Sequence, residues 1–563
     1  MESRRILVIG LDGATWELID PWIEQGYLPT LARLKANGVS GNLRSTIQPT
    51  TAPAWASFMT GMNQGKHGLY DFVRRRPDGY SLEITNGSQI LAPTIFELAS
   101  QYNKQTISVN IPYTFPPRPV NGIVVGGPFA PTVTEDLIYP STFYPQLKQI
   151  VPDYFILPDY DHRASDPMAD YAAQLLTGID LREKLCLHLM DSHPWDLFTV
   201  VFMATDEVQH TFWHCMEATD DSPEARYRDV IRQIYQRLDK AIENLLEQAN
   251  QGSDNQEIIA VILSDHGAGP FKWMINLNHW LSENGYLAFA RDSRGGLDQI
   301  RSNLIKRFAK AYRSYLSASS RAAIRARLGM ERFSRVKEEF ESSLLTSRVI
   351  WDKTQAYSLG AGGNIFINLD GREPLGVVGS ENYDQLCQDI SEKLMSWSAP
   401  DTGEPVVKKV HRREELYQGP QITNAPDLII EWRDYAFWGR GSYDVASPVF
   451  EAQRHFDFSD QPLTGSHRLD GILVCQGPGI KSGAKIMGAK LIDLAPTLMS
   501  LMGIPASPDM DGLLLDDLLS AELAEELGQL DAVLPSQREH EEFEYSPEEA
   551  EQIAEHLRSL GYM

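Results

Sequence analysis

A chain of 563 residues exceeds what one ordinary hydrophobic core needs, so it implies an enlarged domain with insertions, or two domains. Its 42% hydrophobic and 10% aromatic content is that of a folded protein rather than a disordered or fibrous one. A formal net charge of -25 argues against a nucleic-acid groove, and four scattered cysteines (Cys186, Cys215, Cys387, Cys475) without a CxxC pair point to neither a disulfide framework nor a thiolate zinc site.

Residues 5–11 are a continuous apolar run ending in Leu11-Asp12-Gly13. Such a run reads as a strand buried on both faces, as in a parallel sheet covered by helices. Nothing like a signal peptide precedes it and no run of about 18 apolar residues follows, so the expectation is a cytoplasmic protein without a transmembrane segment. Residues 28–37 read as a helix stopped by Gly38. Residues 50–61 read as a loop feeding a short helix, with Thr51 as its N-cap, Pro53 in its first turn and Gly61 as its stop. A hydroxyl at a helix N-terminus sits where unpaired N–H groups and the helix dipole favour an anion, a suitable place for a nucleophile that attacks a phosphoryl group. Taken alone, the stretch is more simply a capped surface helix. Lys66-His67-Gly68 follows, with His67 read as a structural turn group.

Residues 106–112 form another candidate strand, and 169–190 a helix. The apolar run 196–203 leads into Asp206 and His210, an amphipathic helix is expected over 224–250, and the run 257–264 leads into Asp265-His266-Gly267. Strands alternating with helices imply a doubly wound, mostly parallel α/β sheet flanked by helices. Residues 281–349 break the pattern and read as a helical insertion or cap. Within 301–340 it carries eleven Lys or Arg against Glu331, Glu338 and Glu339. A solvated face is the simpler reading, with a lid for anionic substrates or a peripheral membrane contact as the alternatives. The sheet pattern is expected to resume at 363–368, 427–432 and 471–475, with a late helix at 493–503. Residues 516–563 hold fourteen Asp or Glu against Arg538 and Arg558, a charge of -12. There Ser546-Pro547-Glu548-Glu549 reads as a capping box, and Ala550, Ile553, Leu557 and Leu560 line one face of a docked helix that follows an acidic linker. The division is thus 1–280 with 350–515 as the core, 281–349 as the insertion and 516–563 as the tail.

Six side chains have the type and placement of metal ligands. Asp12 ends the first strand. Asp206 and His210 lie four apart, on one face of any helical turn. Asp265 and His266 end another strand, and His467 sits in Gly465–Gly471, just before a later one. Open α/β sheets bind ligands beyond the carboxyl ends of their strands. A mixture of imidazole and carboxylate suits zinc or manganese better than calcium. Two such ions about 4 Å apart can hold the attacking and the leaving oxygen of an in-line displacement. Three carboxylates and two divalent ions sum to +1, so an acidic protein gains a local anion site.

The ordered set is Asp-Gly after strand one, Thr ahead of a Pro-containing helix, Asp-x-x-x-His, Asp-His-Gly and a late Gly-x-His. It resembles the alkaline phosphatase superfamily, and within it the type I phosphodiesterase/nucleotide pyrophosphatase branch, over roughly residues 5–280 and 350–510. The segment 493–503 and Met510-Asp511-Gly512 resemble the later part of these enzymes. The resemblance implies an alkaline-phosphatase-like fold and two catalytic divalent ions, zinc first and manganese second. Asp206, His210 and His467 would hold one ion; Asp12, Asp265 and His266 would hold the other, with Thr51 as the nucleophile. Two departures stand out. The branch carries an Asn that binds a phosphoryl oxygen shortly after the His-Gly, where this chain has Phe72, so that task falls to the metals, the Thr51 N–H or another group such as Lys66 or Arg75. The Cys/Ser-x-Pro-x-Arg motif of sulfatases is absent. The expected activity is hydrolysis of a small-molecule phosphate ester, a diester first, through a covalent phospho-threonine. A phosphomonoesterase, a phosphomutase and a non-hydrolytic metal-binding protein are the alternatives.

Overall fold

The computed structural model describes residues 4–76, 79–251, 258–290, 349–443, 448–452, 461–528, 542–559 and Tyr562. The basic insertion therefore lies largely outside the described residues, as do residues 529–541 of the expected acidic linker and Leu560 of the expected helix stripe.

The apolar runs pair as their composition predicts. A nine-stranded sheet has the order Ala484–Ile486, Val39–Arg44, Asp470–Gln476, Ile259–Leu263, Ile6–Leu11, Leu197–Phe202, Thr106–Val109, Gly122–Val125, Ile138–Tyr139. All run one way except Asp470–Gln476 and Ile138–Tyr139. The first strand is central: Val8 pairs with Thr199 on one side and Val261 on the other. Because alternate side chains leave a strand on opposite faces, Ile6 and Val8 join a core with Trp55 and Phe58, while Leu7, Ile9 and Leu11 join a second core under the helices Pro167–Ser192 and Val230–Gln251. Both faces are covered, which is what continuous apolar strands require.

The expected elements are present with shifted bounds. The helix expected at 224–250 begins as a 3₁₀ turn, Pro223–Tyr227, before the α-helix Val230–Gln251. The helix at 51 spans Thr51–Thr60, and Gly61 ends it in the left-handed conformation at φ 66°. Its N-cap, however, is Thr50, whose extended backbone puts Thr51 at the first helical position; neither hydroxyl caps the helix. The strands Asn364–Ile367 and Leu428–Trp432 do not extend the main sheet. They belong to a separate antiparallel sheet ordered Ala356–Ser358, Asn364–Ile367, Leu428–Trp432, Val407–Arg412. Apolar runs of four to six residues show that a strand is buried, not which sheet buries it.

In the tail, Ser546 N–H donates to Glu549 Oε2 at 2.8 Å and Glu549 N–H returns to Ser546 Oγ at 3.4 Å, the reciprocal capping expected there. The helix that follows, Pro547–Ser559, buries Ile553 and Leu557 in the main core. Among the described residues no helix is long and apolar enough to cross a membrane.

Candidate metal centre and active site

Three neighbouring parallel strands, Ile259–Leu263, Ile6–Leu11 and Leu197–Phe202, end at one edge of the sheet. Neighbouring strands are about 4.8 Å apart, so the residues just beyond their carboxyl ends are forced together. Asp12 follows the first strand directly, its N–H donating to Phe202 O at 3.1 Å. Asp206 lies in the first turn of the helix Ala204–Phe212, with His210 one turn on. Asp265 and His266 follow Leu263. The reversed strand Asp470–Gln476 begins where its neighbour ends, so His467, just ahead of it, arrives at the same edge. A short antiparallel ladder between Gly267–Pro270 and Gly465–Arg468 stacks the His266 and His467 rings at 3.7 Å. Gly13, at φ +67°, keeps the turn bare: a Cβ there would lie 2.8 Å from Asp206 Oδ1.

All six expected residues are buried and fall into two groups, Asp206/His210/His467 and Asp12/Asp265/His266, whose ligand atoms lie within 4.8 Å of one another in each. In the first, Asp206 Oδ2 is 3.3 Å from His210 Nε2 and Asp206 Oδ1 is 3.4 Å from His467 Nε2. In the second, His266 Nε2 is 3.6 Å from Asp12 Oδ1 and 3.4 Å from Asp265 Oδ2. Backbone carbonyls set the three imidazoles. Nδ1–H of His210 donates to Gly465 O at 2.9 Å, that of His467 to Pro49 O at 2.7 Å and that of His266 to Gly267 O at 3.0 Å. A carbonyl only accepts, so each Nε2 is left as the lone-pair atom facing the group, the arrangement by which metal-binding histidines are oriented.

The two groups differ electrostatically. Burial alone would raise the Asp206 carboxyl, but His210 and His467 more than offset it and hold it well below its ordinary value. Burial likewise works to lower His210, and Asp206 more than offsets it. Asp12 and Asp265 are instead pushed well up, by burial first, then by each other's neighbourhood: Asp265 and Asp206 act on Asp12, and Asp206 on Asp265. Burial, then His467, holds His266 well below its ordinary value. Asp12 Oδ1, Asp265 Oδ2 and His266 Nε2 are buried and have no hydrogen-bond partner. Three buried donor atoms without a hydrogen-bond partner fit a divalent cation, which would supply the charge they lack.

Thr51 is buried between the two groups' supports. Two residues before it, Pro49 O accepts from His467; one turn after it, Trp55 Nε1–H donates to Asp12 Oδ2 at 2.8 Å. Lys66 and Arg75 direct their hydrogen bonds elsewhere: Lys66 Nζ donates to Asp511 Oδ1 and Asp509 O, and Arg75 Nη1 to Gly79 O and Arg76 O. His67 is a buried turn group whose Nδ1 accepts from Leu69 N–H at 3.2 Å; burial lowers it to about 3. Two residues at the site carry no warning in the sequence reading. Trp55 lies inside the Thr51–Gly61 stretch, where its type and spacing signal only a helix. Tyr562 follows an acidic segment, yet its hydroxyl lies 2.6 Å from His467 Nε2 and 3.1 Å from His210 Nε2.

The sequence profile of the type I phosphodiesterase / nucleotide pyrophosphatase family matches residues 6–445, well over half of the chain. The chain belongs to this family. Membership supports phosphoryl-ester hydrolysis as its reaction class, in a divalent-metal-dependent superfamily. No curated protein matches. Among solved structures, the chain is similar to human ectonucleotide pyrophosphatase / phosphodiesterase 5, at 13% identity and a TM-score of 0.46, covering 92% of this chain and 100% of that one. It is also similar to phosphonoacetate hydrolase from Sinorhizobium meliloti 1021 in complex with phosphonoformate, at 14% identity and a TM-score of 0.48, covering 90% and 96%. The murine ectonucleotide pyrophosphatase / phosphodiesterase 5, in complex with AMP, aligns at 13% identity and a TM-score of 0.48, covering 92% and 100%.

Proposed function

We propose that the protein is a two-metal phosphodiesterase that works through a phosphorylated Thr51. The observation that carries this reading is the pair of buried three-residue groups at one sheet edge, every imidazole aimed inward by a backbone carbonyl. Asp206, His210 and His467 would hold one divalent ion, and Asp12, Asp265 and His266 the other, zinc or manganese by the donor chemistry. When bound, the ions would lower the pKa of a coordinated hydroxyl and neutralise charge on phosphoryl oxygens.

The chain's own residues do the rest. The Thr51–Thr60 helix presents the Thr51 hydroxyl at its N-terminus, where first-turn N–H groups lack intrahelical partners and face an anion. Thr51 Oγ gives up its proton and forms the new bond to phosphorus, the bond to the leaving alkoxide breaks, and the departing alkoxide takes up a proton in exchange for the one Thr51 released, through water. Water then attacks the phosphorus, the bond to Thr51 Oγ breaks and the hydroxyl regains its proton. Trp55 and the Pro49 carbonyl hold Asp12 and His467 in register with the nucleophile's own helix.

A diester is favoured over a monoester by charge. Three carboxylates and two divalent ions leave +1, which matches a monoanion, and the two cations singled out from the sequence, Lys66 and Arg75, bond elsewhere. The test is turnover of bis-p-nitrophenyl phosphate, p-nitrophenyl phosphate and an aryl sulfate by the zinc- or manganese-loaded protein. Faster turnover of the diester is expected; equal or faster turnover of the monoester rejects the diesterase assignment.

A further inference from the structure

The residue that contacts the first metal group most closely comes from none of the strands that build it. After the helix Pro547–Ser559 ends, Tyr562 N–H closes onto Leu557 O at 2.9 Å, and the ring drops into the site, where it is only 3% exposed. It packs on Phe72, with centroids 4.6 Å apart and planes tilted by 32°, and lies 6.0 Å from Trp438. The segment is anchored along its length. Phe543 N–H donates to Ser88 Oγ at 3.0 Å, Tyr545 O–H to Phe129 O at 2.6 Å, and His556 Nε2 lies 3.4 Å from Glu207 Oε1. Glu207 is the immediate neighbour of Asp206, so the tail grips the same helical turn that carries two of the group's three donors.

The position of the hydroxyl is specific. The donor atoms of the group are spaced 3.0 Å (His210 Nε2 to His467 Nε2), 3.3 Å and 3.4 Å (Asp206 to each imidazole). The phenol oxygen stands 2.6 and 3.1 Å from the two nitrogens, within hydrogen-bond reach of both and on the side where their Nε2 atoms face each other. Four donors about 2.0–2.1 Å from one zinc ion are themselves roughly 3.3 Å apart, by tetrahedral geometry, so the phenol oxygen would draw back from His467 Nε2 by about 0.7 Å to share the ion. Both Nε2 atoms are the lone-pair atoms of their rings, so the phenol O–H donates to His467 Nε2, and a cation bound by the group would take the place of that proton.

We propose that Tyr562 is the fourth donor of the Asp206/His210/His467 site, and that its phenol oxygen holds the place an ester oxygen must take for turnover. The proposal rests on the two-metal reading. Structural tetrahedral sites are closed by four protein donors, whereas catalytic sites keep one position open. With Tyr562 in place the first group is closed and the second, Asp12/Asp265/His266, is not; substrate must therefore displace a tethered side chain at one ion only.

Zinc alone, titrated into the chelator-stripped full chain against a competing chelator, tests the first half. Tyr562→Phe keeps the ring on Phe72 and removes only the oxygen; one of two zinc-binding steps is expected to weaken about tenfold or more, the scale on which ligand-shell changes act. Tyr562→His, which returns a donor, is expected to restore it. The ultraviolet difference spectrum of the unsubstituted protein gives the same answer without any variant, because zinc bound by a phenol oxygen perturbs tyrosine absorption. Superimposable titrations and a flat tyrosine difference spectrum would overturn the assignment. For the second half, Tyr562→Phe at saturating zinc is expected to lower KM for bis-p-nitrophenyl phosphate, and an unchanged or higher KM would overturn the competition. Zinc steps that shift as expected in a protein that turns over no ester would keep Tyr562 as a donor and overturn the hydrolase reading instead.

Discussion

The two halves of the site solve one electrostatic problem in opposite ways. In Asp206/His210/His467 a single carboxylate faces two imidazoles, and the group satisfies itself: Asp206 is held down, His210 is held up, and Tyr562 closes the cage. In Asp12/Asp265/His266 two carboxylates share one imidazole, both acids are pushed up by burial and crowding, and an atom of each residue is left without a partner. The first half pairs its own charges, whereas the second leaves donor atoms whose charge only a bound cation would balance. Thr51, the proposed nucleophile, belongs to neither half and is linked to both through its neighbours Pro49 and Trp55.

The largest effect expected is that of Thr51→Ala, which removes the nucleophile and should lower diester turnover by several orders of magnitude while metal analysis still finds two ions per chain. Turnover that survives the substitution would detach the helix from the chemistry. Next, the halves should respond oppositely to loss of one member in chelator-treated protein. His210→Ala leaves Asp206 buried beside one imidazole and should cost about 3–5 kcal/mol in denaturant unfolding. Asp265→Asn removes one of two crowded carboxyls and should be neutral or stabilising, yet reduce the bound metal from two ions to one. Equal destabilisation by both would erase the distinction. Trp55→Phe, which deletes the indole donor to Asp12, should weaken metal binding about 10–100-fold at the second group. Zinc titration measures this directly, and a change confined to the first group would contradict it.

The smallest effect is that of pH. Asp12 and Asp265 are held above their ordinary 3.8, so between that value and their folded values the folded metal-free protein binds protons that the unfolded chain has lost. Their contribution to stability is greatest at acid pH and falls as pH rises above about 4. Cation binding drives those protons off, so the Tm difference between zinc-loaded and chelator-treated protein should widen as pH rises from about 4 toward neutrality. A difference that stays constant would mean that these carboxyls are already ionised in the metal-free fold.

Much of the site was legible in the sequence because its residues follow local rules. Asp12 and Asp265 close apolar strands, and Asp206 and His210 share one helical face; these patterns are short-range and survive folding unchanged. His467 was legible as a residue just ahead of a strand. That the strand Asp470–Gln476 runs backwards, and so brings its beginning to the others' ends, is a tertiary fact that no local pattern carries. The tail shows the same limit. Its capping box and apolar stripe are local and were readable, whereas the destination of Tyr562 depends on contacts more than 90 residues away in sequence, the nearest being His467. The strand Val39–Arg44 went unread because Ser40, Gly41 and Asn42 hide it, and the antiparallel sheet around Leu428–Trp432 was folded into the main one because burial patterns do not name the partner strand.

The central claim is that Thr51 becomes covalently phosphorylated during turnover. Rapid acid quench of the zinc-loaded protein with bis-p-nitrophenyl phosphate, followed by peptide mass mapping, tests it most directly. The account predicts a phosphoryl adduct on the peptide containing Thr51, lost in Thr51→Ala together with turnover. Steady turnover with no adduct on that peptide, or an adduct elsewhere in the chain, would contradict it.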